Sequence, residues 1–331
     1  MIKRIKGQNV NLMLDGQVVA ASTSCQFTVT ANTADASAKD DAGDGMWDNS
    51  EFTYCDWSAS NESYVVDVNH LLALLHVIVN GDAKVDVAFQ LDNELVYGGR
   101  AIISQLQLKA TNKEHATMSL SLEGASALIH TGGAVISPNM MPRIKGKALM
   151  VAIKGEDGTY HTLAASTSHT LTVSVQSSDA STKDDNDGGA VKEVTGKSAS
   201  LSTENLVAVS DGAADVTGKF LPGLLEDTLA GKVLKMSIGY YAGAIGAPAG
   251  SDADWGTGTP LLVYGDFLCT NISVNAANKE NATFSAEFAC KGMPSVGSVQ
   301  QGNEEEEPKD EPESPTPGGG DDSEGGEGSL E

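Results

Sequence analysis

The chain states its main constraint twice. Arg4-Ile5-Lys6-Gly7 returns as Arg143-Ile144-Lys145-Gly146, and Ala21-Ser22-Thr23-Ser24 returns as Ala165-Ser166-Thr167-Ser168. Asp35-Ala36-Ser37-Ala38-Lys39-Asp40-Asp41 returns as Asp179-Ala180-Ser181-Thr182-Lys183-Asp184-Asp185. Further on, Ser58-Ala59-Ser60 matches Ser198-Ala199-Ser200, Val96-Tyr97-Gly98 matches Val263-Tyr264-Gly265, and Asn112-Lys113-Glu114 matches Asn278-Lys279-Glu280, all in the same order. The repeating unit is roughly 140 to 150 residues, well beyond the 20 to 50 of solenoid arrays, so each copy reads as a whole domain. Two similar domains in one subunit suit an object built by rotational repetition, in which they occupy successive, nearly equivalent places around a ring.

A chain of 331 residues allows two domains that each bury a core. The expected division is a first β domain over 1–124, a linker over 125–142 and a second β domain over 143–295. A disordered acidic tail is expected over 296–331. Only 5% of residues are aromatic, whereas Gly, Ala, Ser, Thr and Val abound, which favours thin β layers with many turns. The formal charge is −24, of which −11 lies from Gln301 onward and −13 in the remaining body. An acidic body repels nucleic acid, so wrapping or reading DNA is not expected of it.

Asn9, Asn11, Asp15, Gly16 and Gln17 interrupt the N-terminal region, which therefore lacks the apolar core of a secretory signal. No stretch approaches the roughly 20 apolar residues of a membrane span, and no membrane anchor is expected. Cys25, Cys55, Cys269 and Cys290 show no metal-ligand spacing and are expected to be reduced thiols.

Both repeats open with alternating sequence. Val10, Leu12 and Leu14 share a face before a turn at Asp15-Gly16, and Val18 to Val29 reads as the second arm of that hairpin. The second copy alternates at Leu149, Val151 and Ile153, turns at Glu156-Asp157-Gly158, and alternates again at Leu171, Val173 and Val175. Polar loops follow, Asp35 to Asn49 and Asp179 to Gly189. Leu71, Leu74, Leu75 and Ile78 predict a helix with Asn69 as N-cap and Asn80-Gly81 as its stop. Leu221, Leu224, Leu225 and Leu229 predict its counterpart, with Pro222 in the first turn and Gly231 at the end. In the last hairpin, Leu106, Leu108 and Ala110 should face Met118, Leu120 and Leu122, around a loop centred near Glu114. Ile272, Val274 and Ala276 should likewise face Phe284, Ala286 and Phe288 around Glu280, which puts Cys290 opposite Thr270 and argues against a Cys269–Cys290 disulfide. The second copy inserts Tyr240 to Pro260, with Trp255, where the first turns at Asp92-Asn93-Glu94. The linker holds Gly132, Gly133, Pro138 and Pro142 and, extended, carries the chain about 50 Å, so the second domain need not fold back on the first.

Catalytic chemistry has no visible home. His70 and His76 are six apart and share no helix face, and His115, His130, His161 and His169 are scattered. Asp184-Asp185-Asn186-Asp187-Gly188 has the composition of a calcium loop without its spaced ligands or closing glutamate. No phosphate loop or nucleophile elbow is present, so no catalytic residue, cofactor or metal site is expected. Glu304 to Glu307, the prolines beyond them and Gly318 to Gly320 read as a disordered acidic segment. It confers solubility or masks an assembly surface.

The ordered set Ala165-Ser166-Thr167-Ser168, Asp179-Ala180-Ser181-Thr182-Lys183-Asp184 and Gly196-Lys197-Ser198 resembles the major tail tube proteins of long, non-contractile phage tails. The first copy carries a weaker version with Lys39-Asp40, Trp47 and Trp57, and Lys197 stands where Trp57 would. The resemblance implies a mainly β protein: two tandem β-sandwich or β-barrel domains of tail-tube type, each with one flanking α-helix. It further implies self-assembly into stacked rings that conduct DNA without binding it specifically. The family places six domains around the axis, so a fused pair should need three chains per ring, giving a pseudo-hexameric trimer. Partners are then other copies of the chain, other tail proteins and passing phage DNA, with assembly in the host cytoplasm and residence in the virion tail. The resemblance also offers Asp35, Ser37, Lys39, Asp40, Asp179, Ser181, Lys183 and Asp184 as contacts between stacked rings, against a plain reading as solvated loops. Rival readings are a tail-tip or baseplate ring of the same fold, a surface β-sandwich binding module using the Trp255 loop, and an enzyme.

Overall fold

Runs in which apolar residues alternate with Ser, Thr, Asn and Gln extend readily and bury one face, and such runs dominate this chain. The structure, a computed structural model, describes residues 7, 10–35, 50–91, 95–130, 143–154, 160–163, 166–181, 189–207, 220–240, 261–278 and 280–297. In chain order the first half supplies β1 (Val10–Leu14), β2 (Gln17–Val18), β3 (Ser22–Asp35), β4 (Ser50–Tyr64), α1 (Val68–Val79), β5 (Lys84–Leu91), β6 (Leu95–Thr111), β7 (Thr117–Gly124) and β8 (Ile129–His130). The second supplies β9 (Leu149–Lys154), β10 (Tyr160–Thr162), β11 (Ser166–Asp179), β12 (Lys192–Leu206), α2 (Phe220–Leu229), β13 (Val233–Tyr240), β14 (Leu261–Asn275), β15 (Thr283–Cys290) and β16 (Ser295–Val296).

Strand neighbours run β2-β1-β5-β6-β7-β4-β3 in the first half and β10-β9-β13-β14-β15-β12-β11 in the second, with β8 on β6 and β16 on β14. The two orders correspond strand for strand. Even the bulges recur: Asn32/Thr33 answers Gln176/Ser177, and Ile103/Gln105 answers Cys269/Asn271. All named pairings within and between the halves are antiparallel.

Each half folds its strands into two layers because one long strand serves both. The first part of β6 pairs with β5 and the second with β7, and the bulge between them re-aims the strand. The layers then face each other: Phe27 of β3 stacks on Phe89 of β5 at 4.8 Å between ring centroids. Trp57, Leu106, Leu108, Leu120 and Leu122 fill the space between, and Phe267, Phe284 and Phe288 do so in the second half. This is the mainly β sandwich architecture with one helix per half that the sequence predicts.

Helix α1 lays Leu71, Leu72, Leu74, Leu75 and Ile78 on the core. Its N-cap is Asp67 rather than the expected Asn69; the carboxylate accepts from the Asn69 backbone N–H at 2.9 Å, an equivalent use of a neighbouring side chain. Helix α2 carries Pro222 in its first turn and ends before Gly231, whose φ of +63° suits the glycine. Among the described residues, no helix is long and apolar enough to cross a membrane.

Several finer expectations need correction. Strand β2 stops at Val18, Ala21 adopts a φ of +53°, and the chain leaves β1 so that β3 pairs with β4 instead. In the last hairpins the expected faces meet but the register is two residues off: Leu106 lies opposite Leu120, and Ile272 opposite Ala286. With Thr270 bulged out, Cys290 falls opposite Phe267 and Cys269 opposite Phe288. The same two-residue shift applies to β4 and β12. Phe27 pairs with Ala59 where its counterpart Leu171 pairs with Leu201, so Ala199, not Lys197, is the counterpart of Trp57. The second half does return to the first, since β11 lies against β6. The turns at Asp92-Asn93-Glu94 and Glu156-Asp157-Gly158, the insertion beyond Tyr240, the second part of the linker and the acidic segment lie outside the described residues.

Candidate assembly interface

The joint between the halves is a strand ladder. Ser168 to Ser174 of β11 pairs with Thr111 to Gln105 of β6, setting Leu171 opposite Leu108, Val173 opposite Leu106 and His169 opposite Ala110. All six side chains are buried. Fully burying a Leu or Val contributes about 1.5–3 kcal/mol, so the apolar pairs dominate the joint. Burial also pushes the His169 imidazole down to about 4, leaving it neutral near pH 7.

Polar contacts line the margin of this ladder. Ser177 Oγ donates to Glu123 Oε2 at 2.8 Å, and Lys192 Nζ approaches the same oxygen at 3.4 Å. Lys197 Nζ donates to the carbonyls of Gly81 at 2.6 Å and Val79 at 3.3 Å, placing a cation at the negative C-terminal end of α1. The last turn of α1 meets the second half again through His76, whose Nε2 lies 2.8 Å from the Gly297 carbonyl. The chain entering the second half is tied down too: Ile144 bridges the backbones of Val65 and Ala116, and Arg143 lies over the Tyr64 ring at 4.3 Å.

Opposite the buried face, the layer formed by β3, β4, β7, the end of β6 and their counterparts presents mostly hydroxyls and amides, with Lys109 and several glutamates among them. Gln105, Gln107, Ser119 and Ser121 in the first half correspond to Asn271, Ser273, Ser285 and Glu287 in the second. Glu62 and Glu204 occupy equivalent places and accept from Ser24 Oγ at 3.3 Å and Ser168 Oγ at 2.9 Å.

Of the loop residues singled out by the sequence, Asp35 ends β3 opposite Ser50, and Asp179 ends β11 opposite Lys192. Four antiparallel steps separate β3 from β11, so the two strands run the same way and these carboxylates stand on the same rim of the layer. Asp179 is held below the usual carboxylate range by hydrogen bonds from the Ser181 side chain and backbone, with Lys192 adding attraction. The Ser181 N–H donates to Asp179 Oδ1 at 2.9 Å, and Ser181 Oγ accepts from Val191 N–H at 3.0 Å, which closes the strand end into a turn. Ser37, Lys39, Asp40, Lys183 and Asp184 lie outside the described residues. Among the described residues no group of three His, Cys, Asp or Glu side chains converges as a metal site would require.

Residues 6–130 match the family model described as phage tail tube protein. Two solved structures are similar. One, the tail of an empty gene transfer agent (GTA) particle computed with helical refinement and C6 symmetry, is 19% identical with a TM-score of 0.34; the match covers 46% of this chain and 98% of that chain. The other, from the virion of a native gene transfer agent particle, is 17% identical with a TM-score of 0.33, again covering 46% of this chain and 98% of that one. No curated protein matches the chain in sequence.

Proposed function

We propose that this chain is a structural subunit of a phage tail tube, which self-assembles into rings that stack into a conduit for DNA. The observation that carries the reading is the family match over residues 6–130, which spans the first repeat. The strand-for-strand correspondence of the halves supports a tandem duplication with modules at 1–124 and 143–295. The β6–β11 ladder supports a ring in which successive modules extend one sheet, so that three chains supply six modules. A closed ring gives every strand edge a partner and removes the hazard of open edges.

In this reading the hydroxyl and amide face lines the bore. Such a wall has few donors for a phosphate backbone besides Lys109, and Glu62, Glu204 and Glu287 outnumber that cation and add repulsion within about one Debye length, roughly 8 Å at physiological salt. The rim bearing Asp35 and Asp179 then meets the next ring, with the loops after it as contacts. The protein resides in the virion tail beside other tail proteins. Electron microscopy of the purified chain, combined with native mass spectrometry, tests this: tubes built from three-chain rings are expected. Monomers overturn the reading, single rings that never stack restrict it to a tail-tip component, and six-chain rings reject the stoichiometry.

A further inference from the structure

We propose that one chain joins the next by pairing the free edge of β3 with the free second half of β14, in the register of the internal β6–β11 ladder. This rests on the ring reading above and adds the surface and its alignment. Strand β3 corresponds to β11, and the end of β14 corresponds to the end of β6. Inside the chain those counterparts are paired with each other, whereas among the described residues β3 has only β4 and the end of β14 only β15 as strand neighbours. Transferring the internal register residue by residue sets Phe27 opposite Val274, Val29 opposite Ile272 and Cys25 opposite Ala276.

Exposure separates this edge from an ordinary solvated one. Val29 is 49% exposed, while its counterpart Val173, inside the internal ladder, is 3% exposed. Val274 is 51% exposed against 0% for Leu108. Leu229, the last residue of α2, is 88% exposed against 7% for Val79, the last residue of α1. Each apolar side chain is covered where its half has a neighbour and bare where a neighbour is missing.

The bare residues also sort onto the correct margins. On the β3 side stand Val29 and Phe52, and on the β14 side Val274, Leu225 and Leu229, whereas Tyr54 shares the outward face of Asp56 and Ile129 answers the exposed Ser295. Internally, β12 and β16 of the second half approach the end of α1. Their counterparts are β4 and β8, and Phe52 of β4 answers Val194, which lies half-buried against the core, so Phe52 is the aromatic residue that turns toward the neighbouring chain. The occupant of each edge is therefore the opposite edge of a second copy, a head-to-tail contact that closes when the rotation per module divides the circle.

The test uses the full chain and its own thiol. In Ala276→Cys, diamide oxidation of assembled protein should yield disulfide-linked multimers on non-reducing gels, and Cys25→Ser in the same chain should abolish them. Ala277→Cys, one residue along and on the other face, should not cross-link to Cys25. Val274→Lys alters a side chain already exposed in the single chain, so it should keep the wild-type circular dichroism while losing assembly more than tenfold. Assemblies that form normally in Val274→Lys, or that show no Cys25-dependent link in Ala276→Cys, overturn the edge pairing and leave the ring reading intact. Cross-linking through Ala277→Cys instead overturns the register. A wild-type chain that never assembles overturns both.

Discussion

At the scale of single residues, two buried positions make measurable demands. A Cβ at Gly124 would lie 2.5 Å from Nε1 of Trp57, whose N–H donates to the Ser126 carbonyl at 2.8 Å. Gly124→Ala must therefore push the indole off its partner, and overpacking of this kind costs about 1–3 kcal/mol. Urea unfolding followed by tryptophan fluorescence should show a lower midpoint and an altered native signal. His169 sets a pH window. Its folded-state value, about 4, is below the ordinary 6.5, so between those values the unfolded chain binds more protons. Stability from this residue is complete above about pH 6.5 and is lost as the pH falls toward 4. The whole shift corresponds to about 3 kcal/mol. Unfolding free energies measured at pH 7.5 and 4.5 should differ less in His169→Leu than in the wild type.

At the scale of elements, Lys197 links two of them that lie far apart in sequence. It brings a lysine ammonium from β12 onto the last carbonyls of α1, those of Val79 and Gly81. Lys197→Met keeps the aliphatic stem and removes the charge, and should lower stability by about 1 kcal/mol, with protection of the Val79 to Gly81 region against hydrogen exchange falling most. Helix α1 itself was legible from the spacing of Leu71, Leu74, Leu75 and Ile78, because a period of 3.6 admits one phase. Strand register was not. Alternation has a period of two, so Leu106 opposite Leu122 and Leu106 opposite Leu120 satisfy it equally, and the bulges at Ser104 and Thr270 leave no composition signal. The match of Ser58-Ala59-Ser60 to Ser198-Ala199-Ser200 misled in the same way, by an even shift that keeps every face correct. The β6–β11 joint was illegible for a different reason: it is a long-range pairing whose apolar residues read, locally, as ordinary sandwich core.

At the scale of the whole molecule, the layer β3-β4-β7-β6-β11-β12-β15-β14 contributes eight strands per chain. Three chains closing through the proposed edges would form a barrel of about 24 strands. With strands about 4.8 Å apart and tilted about 40°, its backbone would be about 50 Å across. What holds it closed can be read from its salt dependence. The chains repel one another, each with a formal charge of −24, whereas the paired segments Ser24 to Thr30 and Asn271 to Ala277 contain no charged residue. Internally the margin is ionic, with Glu123 near Lys192 and Lys197 at the end of α1; the positions corresponding to Glu123, Lys192 and Lys197 on the outer margins are Ala289, Ser50 and Cys55. Raising the salt shortens the Debye length from about 30 Å at 0.01 M to about 10 Å at 0.1 M, weakening the repulsion while leaving apolar burial in place. Sedimentation velocity should therefore show a larger assembled fraction at 0.1 M than at 0.01 M sodium chloride, with no loss at 0.5 M. Dissociation on adding salt would mean that ion pairs, not the bare valines, leucines and phenylalanine of these two edges, carry the contact.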